Sequence, residues 1–281
     1  KQMKKNKLIA PFLKWVGGKR QLMPAINELL PKKYSTYYEP FVGGGAVLFE
    51  IQPKKAIVND FNAELVNTYN VIKNQPEELI EDLKTHVNES EYFYNIRALD
   101  RQEGFDELSN VKKASRVIYL NKTCYNGLYR VNNSGEFNSP FGKYKNPNIV
   151  NDVTIRAVSK YFNANNITII NGDFENVVKN IRKGAFVYFD PPYDPVSKSS
   201  NFTGYVQGGF NMFDQVRLRD LCDKLDKKGV KFLVSNSSTQ LILDLYSKYD
   251  ITFVKANRAI NSDASKRGEV DEVLIRNYEW Y

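Results

Sequence analysis

With 281 residues, 42% of them hydrophobic and 13% aromatic, the chain can bury a sizeable core, and one large domain with a substantial insertion is expected rather than two equal ones. No apolar run reaches the roughly 18 residues of a membrane helix, the basic start Lys4-Lys5-Asn6-Lys7 leads into no signal-peptide core, and two cysteines, Cys124 and Cys222, suit a reduced, cytoplasmic setting away from membranes. A single histidine, His86, argues against a histidine-based metal site or a Ser-His-Asp triad, while a net charge of +8 and a pI near 9.2 favour a polyanionic partner.

The first informative stretch is Pro11-Phe12-Leu13-Lys14-Trp15-Val16-Gly17-Gly18-Lys19-Arg20. Its glycines let backbone approach a ligand closely, Trp15 offers a stacking face, and Lys14 and Lys19 flank it with positive charge; a glycine turn with a core tryptophan is the equally economical reading. A helix is expected through Leu22, Ile26 and Leu29-Leu30, ending at Pro31. Tyr38-Glu39-Pro40-Phe41-Val42-Gly43-Gly44-Gly45-Ala46 then reads as strand, glycine turn and helix start. The apolar strand Ala56-Ile57-Val58-Asn59-Asp60 follows, and Asp60 lies 17 residues past Gly43. In nucleotide-type α/β sites an acid at the end of the second strand binds ribose hydroxyls about 20 residues past the glycines. The consecutive glycines depart from the dinucleotide spacing, so a ligand with a ribose and no phosphate fits better. S-adenosylmethionine is such a ligand.

From Ala63 to about Arg156 the texture changes. Helical periodicity appears over Leu65 to Ile72 and Leu79 to Leu83, Asn88 to Asn110 reads as a polar stretch, and a basic helix is expected from Val111 to Asn121. Asn133-Ser134-Gly135 between alternating runs signals a β-hairpin whose aromatics interleave with Arg130, Lys143 and Lys145, a pattern suited to reading or tracking nucleic acid. An ordinary solvated hairpin would look the same.

Beyond the insertion, Ile167-Thr168-Ile169-Ile170 is a short strand, and the following Asp173-Phe174 could hold an adenine by its amine and its face. Ala185 to Phe189 is a buried strand bounded by Gly184 and ending in Asp190-Pro191-Pro192-Tyr193. Two prolines stiffen this corner and remove two N–H donors, so it presents mainly acceptors beside a ring. That suits a planar ligand with an amino group at the carboxyl end of a strand. Asp194 to Met212, with Phe202, Tyr205 and Phe210, reads as a mobile loop over the site. A helix from Phe213 to Leu225, a strand from Val230 to Val234, a polar stretch from Asn257 to Asp271 and a last strand at Val273-Leu274-Ile275 complete the chain.

Three motifs stand in one order: Phe12-Leu13-Lys14-Trp15-Val16-Gly17-Gly18-Lys19, Glu39-Pro40-Phe41-Val42-Gly43-Gly44-Gly45 and Asp190-Pro191-Pro192-Tyr193. Together with Tyr125-Asn126-Gly127-Leu128-Tyr129-Arg130, Phe137-Asn138 and Pro140-Phe141-Gly142, they closely resemble the Dam-type DNA adenine-N6 methyltransferases of the α class over essentially the whole chain. The resemblance implies an α/β fold, a Rossmann-like, mostly parallel seven-stranded methyltransferase sheet with a helical and β-hairpin target-recognition insertion. It assigns residues 1–63 and 157–281 to the cofactor-binding catalytic domain and 64–156, with a hairpin at about 128–142, to DNA target recognition. It implies S-adenosylmethionine as cofactor, with Trp15, Lys19, Phe41, Gly43, Gly45, Asp60, Asp173, Phe174 and Asp190 around it, and no metal. It makes Asp190, Pro191 and Tyr193 the catalytic group. It implies double-stranded DNA as substrate, with single-stranded DNA as the alternative, and a flipped adenine in GATC. Lys14 and Arg130 would read guanines, Leu128 and Pro140 would touch thymine methyls, and Tyr125 would fill or wedge the opened stack with Asn126 beside it. Tyr129 sits where relatives vary and receives no role. The implied setting is a restriction-modification system with an endonuclease acting on the same site.

The residues suit that chemistry. The lone pair of adenine N6 is delocalised into the ring, and accepting its two hydrogens at the Asp190 carboxylate and the Pro191 carbonyl would push the nitrogen towards a pyramidal geometry. Among rivals, a cytosine-N4 or RNA amino-methyltransferase is disfavoured by Asp rather than Ser before Pro-Pro-Tyr. A non-catalytic DNA-binding protein is disfavoured by the intact Trp15, Lys19, Asp60 and Asp190. A nicotinamide oxidoreductase is disfavoured by the glycine spacing.

Overall fold

The computed structural model describes residues 4–196, 209–257 and 269–279. Branched and aromatic runs give strands β1 (Tyr37–Glu39), β2 (Lys55–Asp60), β3 (Asn166–Asn171), β4 (Phe186–Phe189), β5 (Lys231–Ser237), β6 (Asp250–Asn257) and β7 (Glu269–Arg276). They form a seven-stranded sheet in the order β3-β2-β1-β4-β5-β7-β6. β1 pairs with β4, β2 with β3 and β4 with β5 in parallel, while β7 runs antiparallel to both β5 and β6. The expected mostly parallel α/β sheet is therefore present. A central parallel strand is covered on both faces, which is why all four residues of β4 are apolar and buried.

The helices are α1 (Met23–Leu29), α2 (Ala46–Ile51), α3 (Ala63–Asn74), α4 (Pro76–Leu83), α5 (Ser90–Ala98), α6 (Asn110–Thr123), α7 (Asp152–Ala164), α8 (Phe174–Val177), α9 (Met212–Lys227) and α10 (Gln240–Leu245). The chain packs as two compact units, one of Lys1–Gly18 with Val42–Gly172, the other of Lys19–Phe41 with Asp173–Tyr281.

In the first unit, side-chain caps start three helices: Asn62 accepts from Leu65 N–H at α3, Ser109 from Lys112 N–H at α6 and Asn151 from Thr154 N–H at α7. Their apolar faces bury Leu65, Tyr69, Ile72, Val117, Ile118, Ile155, Val158 and Phe162. The stretch read as polar, Asn88 to Asn110, contains α5. Phe93 packs with Tyr119, Leu120, Cys124 and Phe137 and is flanked by Tyr92 and Ile96. The end of α5 is closed from outside: Arg116 donates to the Ile96 and Arg97 carbonyls at 3.0 and 2.9 Å and pairs with Asp100 at 2.9 Å. Arg116 is 2% exposed, so a charge that reads as surface in the sequence is an internal cap. Helix α7 likewise falls where the sequence showed no helix.

The hairpin forms its turn at Asn133-Ser134-Gly135, with Gly135 at φ +80°, and carries two isolated antiparallel bridges, Val131 opposite Phe137 and Cys124 opposite Phe141. Hydrogen bonds join Asn132 N–H to the Glu136 carbonyl at 2.8 Å and Asn138 N–H to the Arg130 carbonyl at 2.9 Å. The outward groups of Phe137 go elsewhere: its N–H donates to Asp100 at 2.7 Å and its carbonyl accepts from Arg101 at 2.5 Å. Further out, Tyr125 N–H donates to the Pro140 carbonyl and Gly142 N–H to the Thr123 carbonyl, both at 2.8 Å, so pairing resumes at the far end of the stretch expected at about 128–142.

In the second unit, β1, β4, β5 and β7 bury Tyr37, Phe186 to Phe189, Phe232 to Val234 and Val273 to Ile275. α9 opens on a capping box between Asn211 and Asp214 and buries Leu218, Cys222 and Leu225. β5 runs on through Ser237, past the end at Val234 that apolarity suggested. β6, which the sequence did not reveal, is the outer strand beside β7, with Phe253 exposed. Cys124 and Cys222 are both free and buried. The loop expectation at Asp194 to Met212 falls largely on residues 197–208, and the one at Asn257 to Asp271 on 258–268, which lie outside the described residues. Among the described residues no helix is long and apolar enough to cross a membrane.

Candidate active site

In the first unit, β2 delivers Asp60 to the glycine turn. Its Oδ2 accepts from Gly43 N–H and its Oδ1 from Asn62 N–H, both at 3.0 Å. Burial lifts the Asp60 carboxyl above the usual carboxylate range, and the Asn62, Gly43 and Phe61 N–H groups pull it partly back. Gly43 (φ +52°) and Gly45 (φ +80°) take the left-handed conformation that the turn requires. A Cβ on Gly43 would stand 3.0 Å from Trp15 Cδ1, so the turn lies directly against the indole. A Cβ on Gly45 would stand 2.6 Å from the Phe49 ring and 2.7 Å from the Tyr69 hydroxyl, which itself donates to the Gly43 carbonyl at 2.8 Å. Gly45→Ala is therefore expected to lower stability by about 1–3 kcal/mol through strain and overpacking. Urea unfolding checks this, and an unchanged midpoint would contradict the packing described.

The residues expected on DNA gather around one loop of the same unit. Tyr125 is 56% exposed and Leu128 39%; Lys14, Asn126, Arg130 and Pro140 are exposed as well. Tyr125 N–H donates to the Pro140 carbonyl at 2.8 Å. Asn126, at φ +54°, donates its N–H to the Tyr144 hydroxyl at 2.9 Å. The Arg130 guanidinium is oriented by Asn138, Nε to Oδ1 at 2.8 Å and an NH2 group to the carbonyl at 3.3 Å. The Lys14 peptide is gripped by buried Asn121, which accepts from its N–H at 3.0 Å and donates to its carbonyl at 2.7 Å. The Lys14 stem lies against Gly127, where a Cβ would come within 2.8 Å of Cδ. Asn121 escaped sequence reasoning because one asparagine among many carries no positional signal, and Asn138, though part of a motif, received no role there.

In the second unit, β4 ends at Asp190. Asp190 Oδ1 meets Lys19 Nζ at 2.9 Å and accepts from the Ser235 hydroxyl at 3.0 Å. Burial raises the Asp190 carboxyl, while Lys19 and Ser235 oppose that rise. Burial alone would lower Lys19, but Asp190 and Tyr193 outweigh it and hold the ammonium protonated above its usual range. The Lys19 ammonium also lies 4.7 Å from the centre of the Tyr193 ring. Burial raises the Tyr193 phenol, which stays neutral at ordinary pH. The corner is pinned: Gln215 on α9 donates to the Pro192 carbonyl at 2.9 Å and accepts from Asn236 at 3.1 Å, and Asn236 accepts from Asp194 N–H at 2.9 Å. Gln215, Ser235 and Asn236 are all buried; Ser235 and Asn236 lay hidden to sequence reading because β5 was expected to end at Val234, and Gln215 because one polar residue in a helix carries no signal of its partners. Among the described residues, neither Asp190 Oδ2 nor the Pro191 carbonyl accepts a hydrogen bond.

Phe41 stacks on Phe174 with centroids 5.2 Å apart, and Phe210 meets both rings. Both oxygens of Asp173 are taken by Arg217, at 2.9 and 3.0 Å, and the guanidinium lies 4.4 Å from the centre of the Phe174 ring. Asp173 also caps α8 through Glu175 N–H at 3.1 Å. The structure thus brings Phe41, Asp173 and Phe174 together, with Arg217, which the sequence did not single out, occupying the carboxylate expected to meet an adenine. No cluster of three or more His, Cys, Asp or Glu suited to a metal ion occurs among the described residues.

The seven-stranded sheet, the glycine turn sealed by a strand-end acid and the Asp-Pro-Pro-Tyr corner closing β4 agree with the resemblance to amino-group methyltransferases seen in the sequence. Residues 15–260 match the model of the D12 class N6 adenine-specific DNA methyltransferases, and the chain belongs to that family. It is 48% identical over 279 residues to the Type II methyltransferase M1.LlaDCHI of Lactococcus lactis subsp. cremoris, covering 98% of each chain. To the Type II methyltransferase M.MjaIII of Methanocaldococcus jannaschii it is 43% identical, covering 96% of this chain and 99% of the other. To the DNA adenine methylase of Serratia marcescens it is 36% identical, covering 97% and 98%. The protein is thus a DNA adenine-N6 methyltransferase, and membership of the family implies a methyl donor of the adenosylmethionine type.

Proposed function

We propose that the protein transfers the methyl group of S-adenosylmethionine to N6 of an adenine flipped out of duplex DNA, in the sequence GATC. The observation that carries this reading is the pair of acceptors at this braced corner, Asp190 Oδ2 and the Pro191 carbonyl, to which none of the described residues donates. They match the two hydrogens of an exocyclic amino group. Bound there, N6 loses conjugation with the ring and its lone pair is directed away from both acceptors. Lys19 and Ser235 on Oδ1 keep the carboxylate ionised and fixed, and Gln215 and Asn236 stop the backbone from yielding. The Tyr193 ring is the stacking face for the extruded base, offsetting part of the few kcal/mol that flipping costs. Alignment supplies most of the acceleration, since oriented reactants reach effective molarities of about 10⁵ M or more.

The residues fit the donor. In the first unit, the buried Asp60 carboxylate at a turn without side chains suits ribose hydroxyls beside Trp15; in the second, Phe41 and Phe174 offer aromatic surface of the kind a purine takes. Asp173 would meet the purine amine once Arg217 releases an oxygen. When bound, S-adenosylmethionine supplies an electrophilic methyl group on a sulfonium centre. Residues 64–156 carry DNA recognition, and the remainder carries transfer. Two relatives bear the name Type II methyltransferase, which supports a partnership with an endonuclease cutting the same site.

The test is to express the protein in a host lacking adenine methylation and digest its plasmid with nucleases that cut either methylated or unmethylated GATC. Plasmid left open to the second kind would refute the assignment. A pH dependence follows as well. Asp190 accepts N6 hydrogens only as a carboxylate, and burial raises its proton affinity, so activity falls as the medium is acidified. The acid limb of kcat/KM is expected above the ordinary carboxylate value of 3.8. A limb at or below that value in a stopped-time assay would contradict it.

A further inference from the structure

Tyr129 lies between Leu128 and Arg130, two residues proposed to read bases, yet it turns the other way. Its neighbours are exposed, while its ring stacks on Trp15 with centroids 4.8 Å apart and planes 28° from parallel. Its hydroxyl donates to Glu64 on α3 at 2.9 Å. Trp15 in turn abuts the glycine turn, where a Cβ on Gly43 would stand 3.0 Å from Cδ1, and Gly43 N–H holds Asp60. One line of direct contact therefore runs Arg130, Tyr129, Trp15, Gly43, Asp60, from a base reader to the carboxylate proposed to hold ribose. A second fastening runs beside it, because Asn121 joins the Lys14 peptide to the Gly127 carbonyl, at 3.1 Å for the latter. The dipeptide Lys14-Trp15 is thus tied to the recognition loop by its backbone and by its ring.

From this line of contact we propose that Tyr129 is a positioning residue that couples target reading to cofactor binding. The inference rests on the function proposed above. When Leu128 and Arg130 engage the correct bases, the segment between them is fixed, and the Tyr129 ring holds the indole and the glycine turn in the geometry that receives the donor. By linkage the reverse is equally true: a bound donor must tighten cognate DNA by the same factor. An aliphatic side chain at 129 fills space but offers the indole no face, and Phe keeps the face without the hydroxyl.

The experiment measures binding of S-adenosylhomocysteine, an unreactive stand-in for the donor, to the full chain by calorimetry. It is done alone, with a GATC duplex, and with a duplex altered at one base pair. The GATC duplex is expected to tighten binding in the parent by at least about five-fold, the lower end of typical coupling. Tyr129→Phe retains that factor, and Tyr129→Leu brings it close to one. If Leu at 129 prevents folding, Tyr129→Met, which restores volume without a ring, takes its place with the same expectation. The inference is overturned if Tyr129→Leu keeps the parent's factor or if the parent shows no difference between the two duplexes. A parent that binds neither S-adenosylhomocysteine nor the GATC duplex would instead overturn the reading of the site, and this inference with it.

Discussion

Asp190→Asn is expected to slow methyl transfer by about 10³-fold or more while specific DNA binding survives. Misplacing one preorganised polar group at a reacting centre commonly costs 10² to 10³, and the loss here removes charge as well. The amide would present a donor where an acceptor is needed, either to the N6 hydrogens or to Lys19, 2.9 Å from the present Oδ1. It also leaves a buried ammonium without its counter-charge, a change that typically costs about 3–5 kcal/mol of stability. Activity loss must therefore be separated from unfolding. The double variant Asp190→Asn with Lys19→Met removes both charges and is expected to regain stability without regaining transfer. Single-turnover transfer of tritium from labelled S-adenosylmethionine, alongside thermal unfolding of each variant, reads the two effects independently. Near-normal turnover by Asp190→Asn would sink the acceptor role given to this carboxylate.

Arg130→Ala is expected to relax sequence preference, not to abolish activity. A guanidinium that bonds both acceptors of a guanine edge discriminates by about 1–3 kcal/mol, so preference for GATC over a duplex changed at the guanine it reads should fall about 10- to 100-fold. Changes at other positions should be discriminated as before. Asn138 orients the guanidinium through its side chain and its carbonyl, so Asn138→Ala is expected to produce a smaller loss at the same base pair. Comparing kcat/KM on GATC with each single-pair variant checks both substitutions. A uniform loss across all duplexes would mark Arg130 as a phosphate contact instead.

The sequence revealed what short local signals specify. Four apolar residues before Asp190-Pro191-Pro192, and a glycine run followed by Asp60, announce strand ends and a turn, and the sheet bears these out. It did not reveal what depends on distant partners. Helix α5 is secured by Arg116 and by contacts of Phe93 with Tyr119 and Phe137, none of which its own polarity suggests. β6 draws its order from pairing with β7. The hairpin signal at Asn133-Ser134-Gly135 was sound for the turn, but the strands meet only at isolated bridges, and the outward backbone groups of Phe137 are taken by Asp100 and Arg101, 37 and 36 residues away. Around the site, the residues named from motifs lie where strand ends and turns place them. Those that brace them, Ser235, Gln215, Asn236, Asn121 and Arg217, are ordinary polar residues whose roles exist only once the chain has folded.

The two sulfhydryl groups have a practical consequence. Both are enclosed, and burial pushes the Cys124 thiol up to about 11 and the Cys222 thiol well above its ordinary value, so at neutral pH hardly any nucleophilic thiolate is present. Maleimide reagents should pass over the native protein. A single cysteine engineered on the recognition loop could then carry a fluorophore, reporting DNA engagement with no need to strip out the natural pair.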